Sequence, residues 1–162
     1  MRKRSFSAAL AAVAIAALGG CATGAPPVSV ADTLAARPQL STLNALVNKA
    51  GLGDTLKGAG PFTVFAPSNE AFAKVPAKTL EALGSDPARL KAVLTYHVLP
   101  ERLVLADVKN APHKTVNGAS LALARAGEFV TAEDALVQAG DIAATNGVVH
   151  VVDSVLLPPA GR

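Results

Sequence analysis

The segment PFTVFAPSNEAF, Pro61 to Phe72, decides how the rest of the chain is read. Phe62-Thr63-Val64-Phe65-Ala66 is aromatic and β-branched, which suits a buried, pleated strand. Pro67 has no N–H to give to a ladder and ends that strand. Ser68 or Asn69 then caps a helix whose first turns carry Ala71 and Phe72. Phe62, Phe65 and Phe72 are three of the four phenylalanines beyond residue 20, so most of the aromatic core is expected here.

Upstream of that strand the apolar period is helical. Ser29 caps a helix carrying Val30, Ala31, Leu34 and Ala35, which Pro38 closes. Ser41 or Thr42 opens another, with Leu43, Leu46, Val47 and Ala50 on one face and Gly51 as the C′ residue. Leu52 to Gly58 adds a further turn or two. Downstream, Pro76 opens a segment with Leu80 and Leu83 inward, ended by Gly84. Asp86-Pro87 is an N-cap followed by proline at N1. Leu90, Val93, Leu94 and His97 share the inner face of the helix it starts, and Pro100 stops it.

Beyond Pro100 the period shortens. Val104–Val108, Lys114–Val116, Ser120–Ala124, Glu128–Thr131, Ala135–Gln138, Ile142–Ala144 and Val148–Leu157 are strand candidates. Asn117-Gly118, Ala126-Gly127 and Asn146-Gly147 separate several of them, and Asn-Gly is a strong hairpin signal. Gly147 is expected to need a positive φ in its turn. Helices first and antiparallel strands after is an α+β arrangement.

The N-terminus reads as a leader. Arg2, Lys3 and Arg4 precede the apolar run Ala8–Leu18, which is shorter than the about 20 residues that span a bilayer. Leu18-Gly19-Gly20-Cys21 resembles the lipobox of bacterial lipoproteins. That likeness implies a signal peptide over 1–20, cleavage before Cys21, and a diacylglycerol and N-acyl chain (palmitate class) on the cysteine. Two or more chains give stable anchoring without a transmembrane helix. Residues 21–28, with Pro26-Pro27, form a lipidated tether. Alanine at residue 22 favours the outer membrane of a Gram-negative envelope by resemblance to the lipoprotein sorting rule. Residues 29–158 form one domain, and 159–162 are a tail.

Charge and cysteine content exclude several classes. The full chain carries 15 Lys+Arg against 12 Asp+Glu, but three of the bases lie in the leader. The mature chain is formally neutral, so its apparent basicity points to neither nucleic acid nor an anionic membrane surface. With no Trp and one Tyr there is no base-stacking platform. Cys21 is the only cysteine, so stability rests on burial.

Three blocks carry a specific resemblance. TVFAPSNEAF at 63–72, YHVLP at 96–100 and NGVVHVVDSVLLP at 146–158 resemble the signature blocks of the fasciclin domain, in the family's order and spacing. The likeness runs from about Ser29 to Pro158. It implies a β-sandwich-like wedge with helices packed along one edge. It also implies an extracytoplasmic, non-catalytic adhesion module whose partner is a cell-surface or matrix protein or glycan. The alternative it implies is a carrier of a hydrophobic small molecule, a carotenoid or lipid. In animal members two places are tied to integrin binding, which correspond to Tyr96-His97 and Asp141-Ile142. Ala139-Gly140 stand where the animal motifs carry Glu-Pro. Tyr96, Asp141 and Ile142 are therefore the candidate partner-binding residues, and Asn69, His97, Asn146 and Gly147 the structural ones. The blocks holding His97 and Asn69 pack together in related folds, so the inward imidazole is expected to bond Ser68, Asn69 or nearby backbone.

Catalytic and metal constellations are absent from the sequence. His97, His113 and His150 are far apart, with no H-x-H or H-E-x-x-H spacing. There is no G-x-S-x-G elbow, P-loop or dinucleotide fingerprint, and no cofactor is expected. Glu133-Asp134 reads as a solvated loop. His150 alternates with Val148 and Val152 and reads as a histidine packed at the sheet margin.

Overall fold

The computed structural model describes residues 28–159. The leader, Cys21 and most of the tether lie outside the described residues.

Six helices are described: α1 (Val30–Ala35), α2 (Ser41–Lys49), α3 (Gly53–Lys57), α4 (Asn69–Ala73), α5 (Ala77–Ser85) and α6 (Pro87–Tyr96). The strands are β1 (Phe62–Pro67), β2 (Val98–Leu99), β3 (Ala111–Lys114), β4 (Ser120–Ala126), β5 (Phe129–Ala132), β6 (Ala135–Ala144) and β7 (Gly147–Val152). Three of the six helix starts, those of α1, α4 and α6, carry a side-chain cap. Ser29 Oγ accepts from Asp32 N–H, Ser68 Oγ from Ala71 N–H, and Asp86 Oδ1 from Ala88 and Arg89 N–H. Gly51, at φ 67°, ends the α2 turn in the left-handed region.

The seven strands form one mixed sheet in the order β2-β1-β7-β6-β5-β4-β3. β1 runs parallel to β7 from Phe62 beside Gly147 to Pro67 beside Val152. The other pairings are antiparallel. The helices gather against the β2–β1–β7 end, with α1 touching β1 and β7, α4 touching β1, and α6 touching β2. This is the expected α+β wedge.

Alternation along β1 divides the core. Val64 and Ala66 face the helices with Val149, Val151, Leu34, Leu43 and Leu94. Phe65 faces the opposite way, into Tyr96, Leu121, Leu123, Val130 and Val152. All six residues of β7 are buried, as a strand covered on both faces requires. Phe129, by contrast, is 67% exposed at the β4–β5 hairpin.

Some boundaries differ from the sequence reading. Val104–Val108 is a 3₁₀ turn at Leu105–Asp107, because Leu103 and Leu105 N–H bond the side chains of Thr63 and Asp141. The third strand begins earlier, at Ala111, and ends at Lys114. Ala135–Gln138 and Ile142–Ala144 are one strand, interrupted by register shifts between Val137 and Ala139 and between Ala139 and Ile142. The last strand stops at Val152, where Asp153 turns back to bond Leu136 through both its backbone N–H and its carboxylate. Val98–Leu99, not expected as a strand, pairs with Thr63 and Val64.

Candidate functional site

The residues of the three sequence blocks converge where β1 and β7 meet the helices, and each is held by identifiable bonds. Asn146 bonds three separate segments. Its Nδ2 donates to Leu56 O (2.7 Å) and Gly58 O (2.8 Å), and its Oδ1 accepts from Val30 N–H (2.8 Å). Its carbonyl accepts from Phe62 N–H at 2.9 Å. Its side chain thus joins the start of α1 to the end of α3, and its backbone carbonyl adds the start of β1, which is more than a turn residue does.

Gly147 corrects the positive-φ expectation, since it is not among the residues in that region. Glycine is required there by close approach: a Cβ would lie 2.0 Å from Phe62 O and 2.9 Å from Phe62 C. The same crossing constrains Gly60, whose Cβ would lie 2.0 Å from Asn146 O.

His97 is buried, as its place on the α6 stripe implies, with 2% exposure. Its partners are not Ser68 or Asn69. Leu156 N–H donates to Nε2 at 3.0 Å, so that nitrogen carries the lone pair. Nδ1–H therefore donates to Val93 O at 2.8 Å, satisfying an orphan carbonyl at the end of α6. Burial pushes the imidazole pKa down to about 4 despite the favourable bond to Val93. Ser68 instead caps α4. Asn69 reaches across to α2, which has no local side-chain cap. Its Oδ1 accepts from Thr42 N–H, and its Nδ2 donates to Pro38 O and Ser41 Oγ.

The candidate partner-binding residues separate. Tyr96 is 1% exposed and offers no surface to a partner; its ring belongs to the second core cluster. Its hydroxyl lies within hydrogen-bond distance of two acceptors, Ser120 O (3.1 Å) and Glu133 Oε1 (3.0 Å), which share its single proton. Burial, and then the Glu133 carboxylate, push its pKa up to about 12. Glu133 also accepts from Ala122 N–H, so its side chain is tied into the sheet although the residue is exposed at a φ of 53°. Asp141 is exposed, at φ 56° in the β6 irregularity, and its carboxylate accepts from Leu105 N–H at 2.8 Å. Ile142 is half-buried against the helical core cluster.

Two further buried polar residues fasten this arrangement, in ways that sequence spacing does not indicate. Thr63 Oγ1 donates to Glu101 O and accepts from Leu103 N–H, which fastens that loop to β1. His150 lies at the sheet centre rather than its margin, fully buried, with its ring centroid 5.4 Å from that of Phe65. Asp141 N–H donates to its Nδ1, so its Nε2–H donates to Leu103 O at 2.8 Å. Burial lowers its pKa as well. Alternation places His150 on the correct face; nothing local shows how completely that face is covered.

Among the described residues, no group of three or more His, Cys, Asp or Glu side chains is placed to hold a metal ion. An apolar pocket between the helices and β1, lined by Leu34, Leu43, Leu56, Phe62, Val64 and Leu94 among others, holds about 30 Å³. Small-molecule chambers run to about 300–1,000 Å³, so this pocket is too small for a carotenoid or an acyl chain. No described helix is long and apolar enough to cross a membrane.

A fasciclin domain model matches residues 38–158. Protein sll1483 of Synechocystis sp. is 39% identical over 134 residues, covering 82% of this chain and 74% of that protein. The cell surface glycolipoprotein MPB83 of Mycobacterium bovis is 37% identical over 146 residues, covering 87% of this chain and 66% of that protein. Among solved structures, a FAS1 domain pair from the insect cell adhesion molecule fasciclin I is similar in fold. Its TM-score is 0.62 at 19% identity, covering 80% of this chain and 51% of the solved one.

Proposed function

This chain belongs to the fasciclin domain family, and from that premise we propose that it is an envelope-anchored, non-catalytic interaction module. It is held outside the cytoplasm by acyl chains on Cys21 and binds a cell-surface or matrix protein or glycan. The observation that carries this reading is the family match over nearly the whole folded domain, together with a similar protein named a cell surface glycolipoprotein. The polar interior supports it physically. The ring nitrogens of His97 and His150, the Thr63 hydroxyl and the Asn146 amide are each engaged by named hydrogen bonds of the fold. Chemistry-bearing side chains are thereby occupied in fastening segments together.

Recognition is then left to the surface. Asp141 is the exposed member of the candidate set, with Ile142 beside it, and Tyr96 contributes by holding the second core cluster. The test is competition. Purified protein lacking the leader, added in excess to intact cells, should reduce their attachment to the matrix or to neighbouring cells in a saturable way. Attachment that does not change at any concentration of folded protein would contradict the reading.

A further inference from the structure

Asparagine is a labile residue, and most so before glycine, whose missing side chain lets its backbone nitrogen reach the asparagine amide carbon. The chain has two such pairs, Asn117-Gly118 and Asn146-Gly147. The structure gives them opposite surroundings.

Asn146 is locked at both atoms of its amide. Nδ2 donates to Leu56 O and Gly58 O, and Oδ1 accepts from Val30 N–H. Gly147 is buried, and a Cβ on it would meet Phe62 O at 2.0 Å. Its nitrogen and the Asn146 amide carbon cannot turn toward each other without breaking those bonds and parting β1 from β7.

Asn117 is held by its neighbours only up to the residue before it. It lies in the β3–β4 turn, which is closed by Lys114 pairing with Ser120 and by Thr115 N–H donating to Ala119 O. Val116 N–H donates across to Val98 O. Asn117 and Gly118 are both exposed, and among the described residues none bonds the Asn117 side chain. Gly118, at φ 91°, has open space beside it: a Cβ there would meet no atom within 4 Å. Its N–H donates to Thr115 O at 2.9 Å, so one exposed turn bond is all that must open.

The position matters because of what surrounds it. Asn117 lines a recess of about 860 Å³ between α5, α6 and the C-terminal segment. Lys78 and Arg89 line the same recess, and among its described lining residues none is acidic. A carboxylate made at residue 117 would be the first negative charge on a cationic surface.

We propose that Asn117-Gly118 is a self-modifying site, at which Asn117 of the folded protein converts to aspartate or isoaspartate and places a carboxylate on the recess of Lys78 and Arg89, while the fold holds Asn146 inert. Gly118 N gives its proton to hydroxide and attacks Asn117 Cγ. The N–Cγ bond forms, the Cγ–Nδ2 bond breaks, and Nδ2 leaves as ammonia with a proton from solvent. Water then opens the succinimide. Breaking the Gly118 N–Cγ bond gives aspartate; breaking the bond from Gly118 N to Asn117 C gives isoaspartate. This modification goes beyond the adhesive reading and does not depend on it.

The test is incubation of the protein lacking its leader at mildly alkaline pH, with the modified fraction of each asparagine followed by peptide mass spectrometry. A parallel sample is incubated in urea. In the folded protein Asn117 should deamidate at least about a hundredfold faster than Asn146, which reacts only from opened molecules, roughly one in a thousand or fewer. In urea the two should react at comparable rates. Asn117→Gln, at an exposed position, should keep the parent melting curve. It should also abolish the acidic form that the parent accumulates on isoelectric focusing, because glutamine has to close a larger ring. Asn117 left intact in the folded protein while it is consumed in urea, Asn146 reacting as fast as Asn117 in the folded protein, or the acidic form appearing undiminished in Asn117→Gln would each overturn the assignment.

Discussion

Acidification should destabilise this domain through His97, and the size of the effect follows from its geometry. In the fold the ring is neutral, with Nδ1–H donating to Val93 O and the Nε2 lone pair accepting Leu156 N–H. A second proton would set two donors against each other at Nε2, in a site with 2% exposure. The pKa falls from 6.5 to about 4. Because the folded pKa lies below the unfolded one, the unfolded chain binds more protons between those values. The stability of the neutral, bonded ring is present above pH 6.5 and is lost as pH falls toward about 4. At about 1.4 kcal/mol for each pH unit crossed below the unfolded value, roughly 2.5 kcal/mol disappears between pH 7.5 and pH 4.5. His150, whose pKa burial also lowers, adds in the same direction. The lowered carboxyl pKa values of Asp32 and Asp153 act below their ordinary value of 3.8, beneath this window. The assay is urea unfolding of parent and His97→Gln at both pH values. His97→Gln should be less stable at pH 7.5 and show a smaller drop on acidification. An equal drop in parent and variant would refute the assignment of the acid sensitivity to His97.

Gly147→Ala should cost about 3 kcal/mol or prevent folding, because the new Cβ meets the Phe62 backbone at 2.0 Å. Gly147→Asn, which tolerates a left-handed turn, should be no better; a wild-type denaturation midpoint for it would restore the turn explanation. Asp141→Asn keeps both the tolerance of φ 56° and the acceptor for Leu105 N–H, so its stability should stay within about 0.5 kcal/mol of the parent. Its potency in the attachment competition should fall, and unchanged potency would remove the Asp141 carboxylate from the binding surface. Cys21→Ser should move the protein from the membrane fraction to the soluble extracytoplasmic fraction with an unchanged melting curve; retention on membranes after a high-salt wash would count against lipid anchoring.

Local chemistry made much of the fold legible. The Phe62–Pro67 strand, the caps at Ser29, Ser68 and Asp86, and the glycine stop at Gly51 are each properties of a few neighbouring residues. What sequence spacing does not encode is which distant segment completes a local need. His97 faces inward because of helical periodicity, but its partner Leu156 is 59 residues away. The β1–β7 pairing joins the two ends of the domain, and no periodicity in either strand names the other. Val104–Val108 has the composition of a strand, yet the Thr63 and Asp141 side chains take the backbone donors of Leu103 and Leu105 and turn it aside. A glycine after asparagine has the same appearance whether it is needed for a positive φ or for a close backbone crossing, and only the 2.0 Å approach to Phe62 O separates the two at Gly147. The candidate site divides in the same way. Exposure distinguishes Asp141 from Tyr96, which the family resemblance groups together as candidate partner-binding residues.

Whether the domain works by being held at the cell surface is measured most directly by attachment of cells whose gene has been deleted and then restored in two forms. Cells restored with the parent gene should attach as the original strain does. Cells restored with Cys21→Ser, which make the same folded domain without its anchor, should attach as poorly as the deletion strain. Equal attachment by the deletion strain and the original would contradict an adhesive role for this protein.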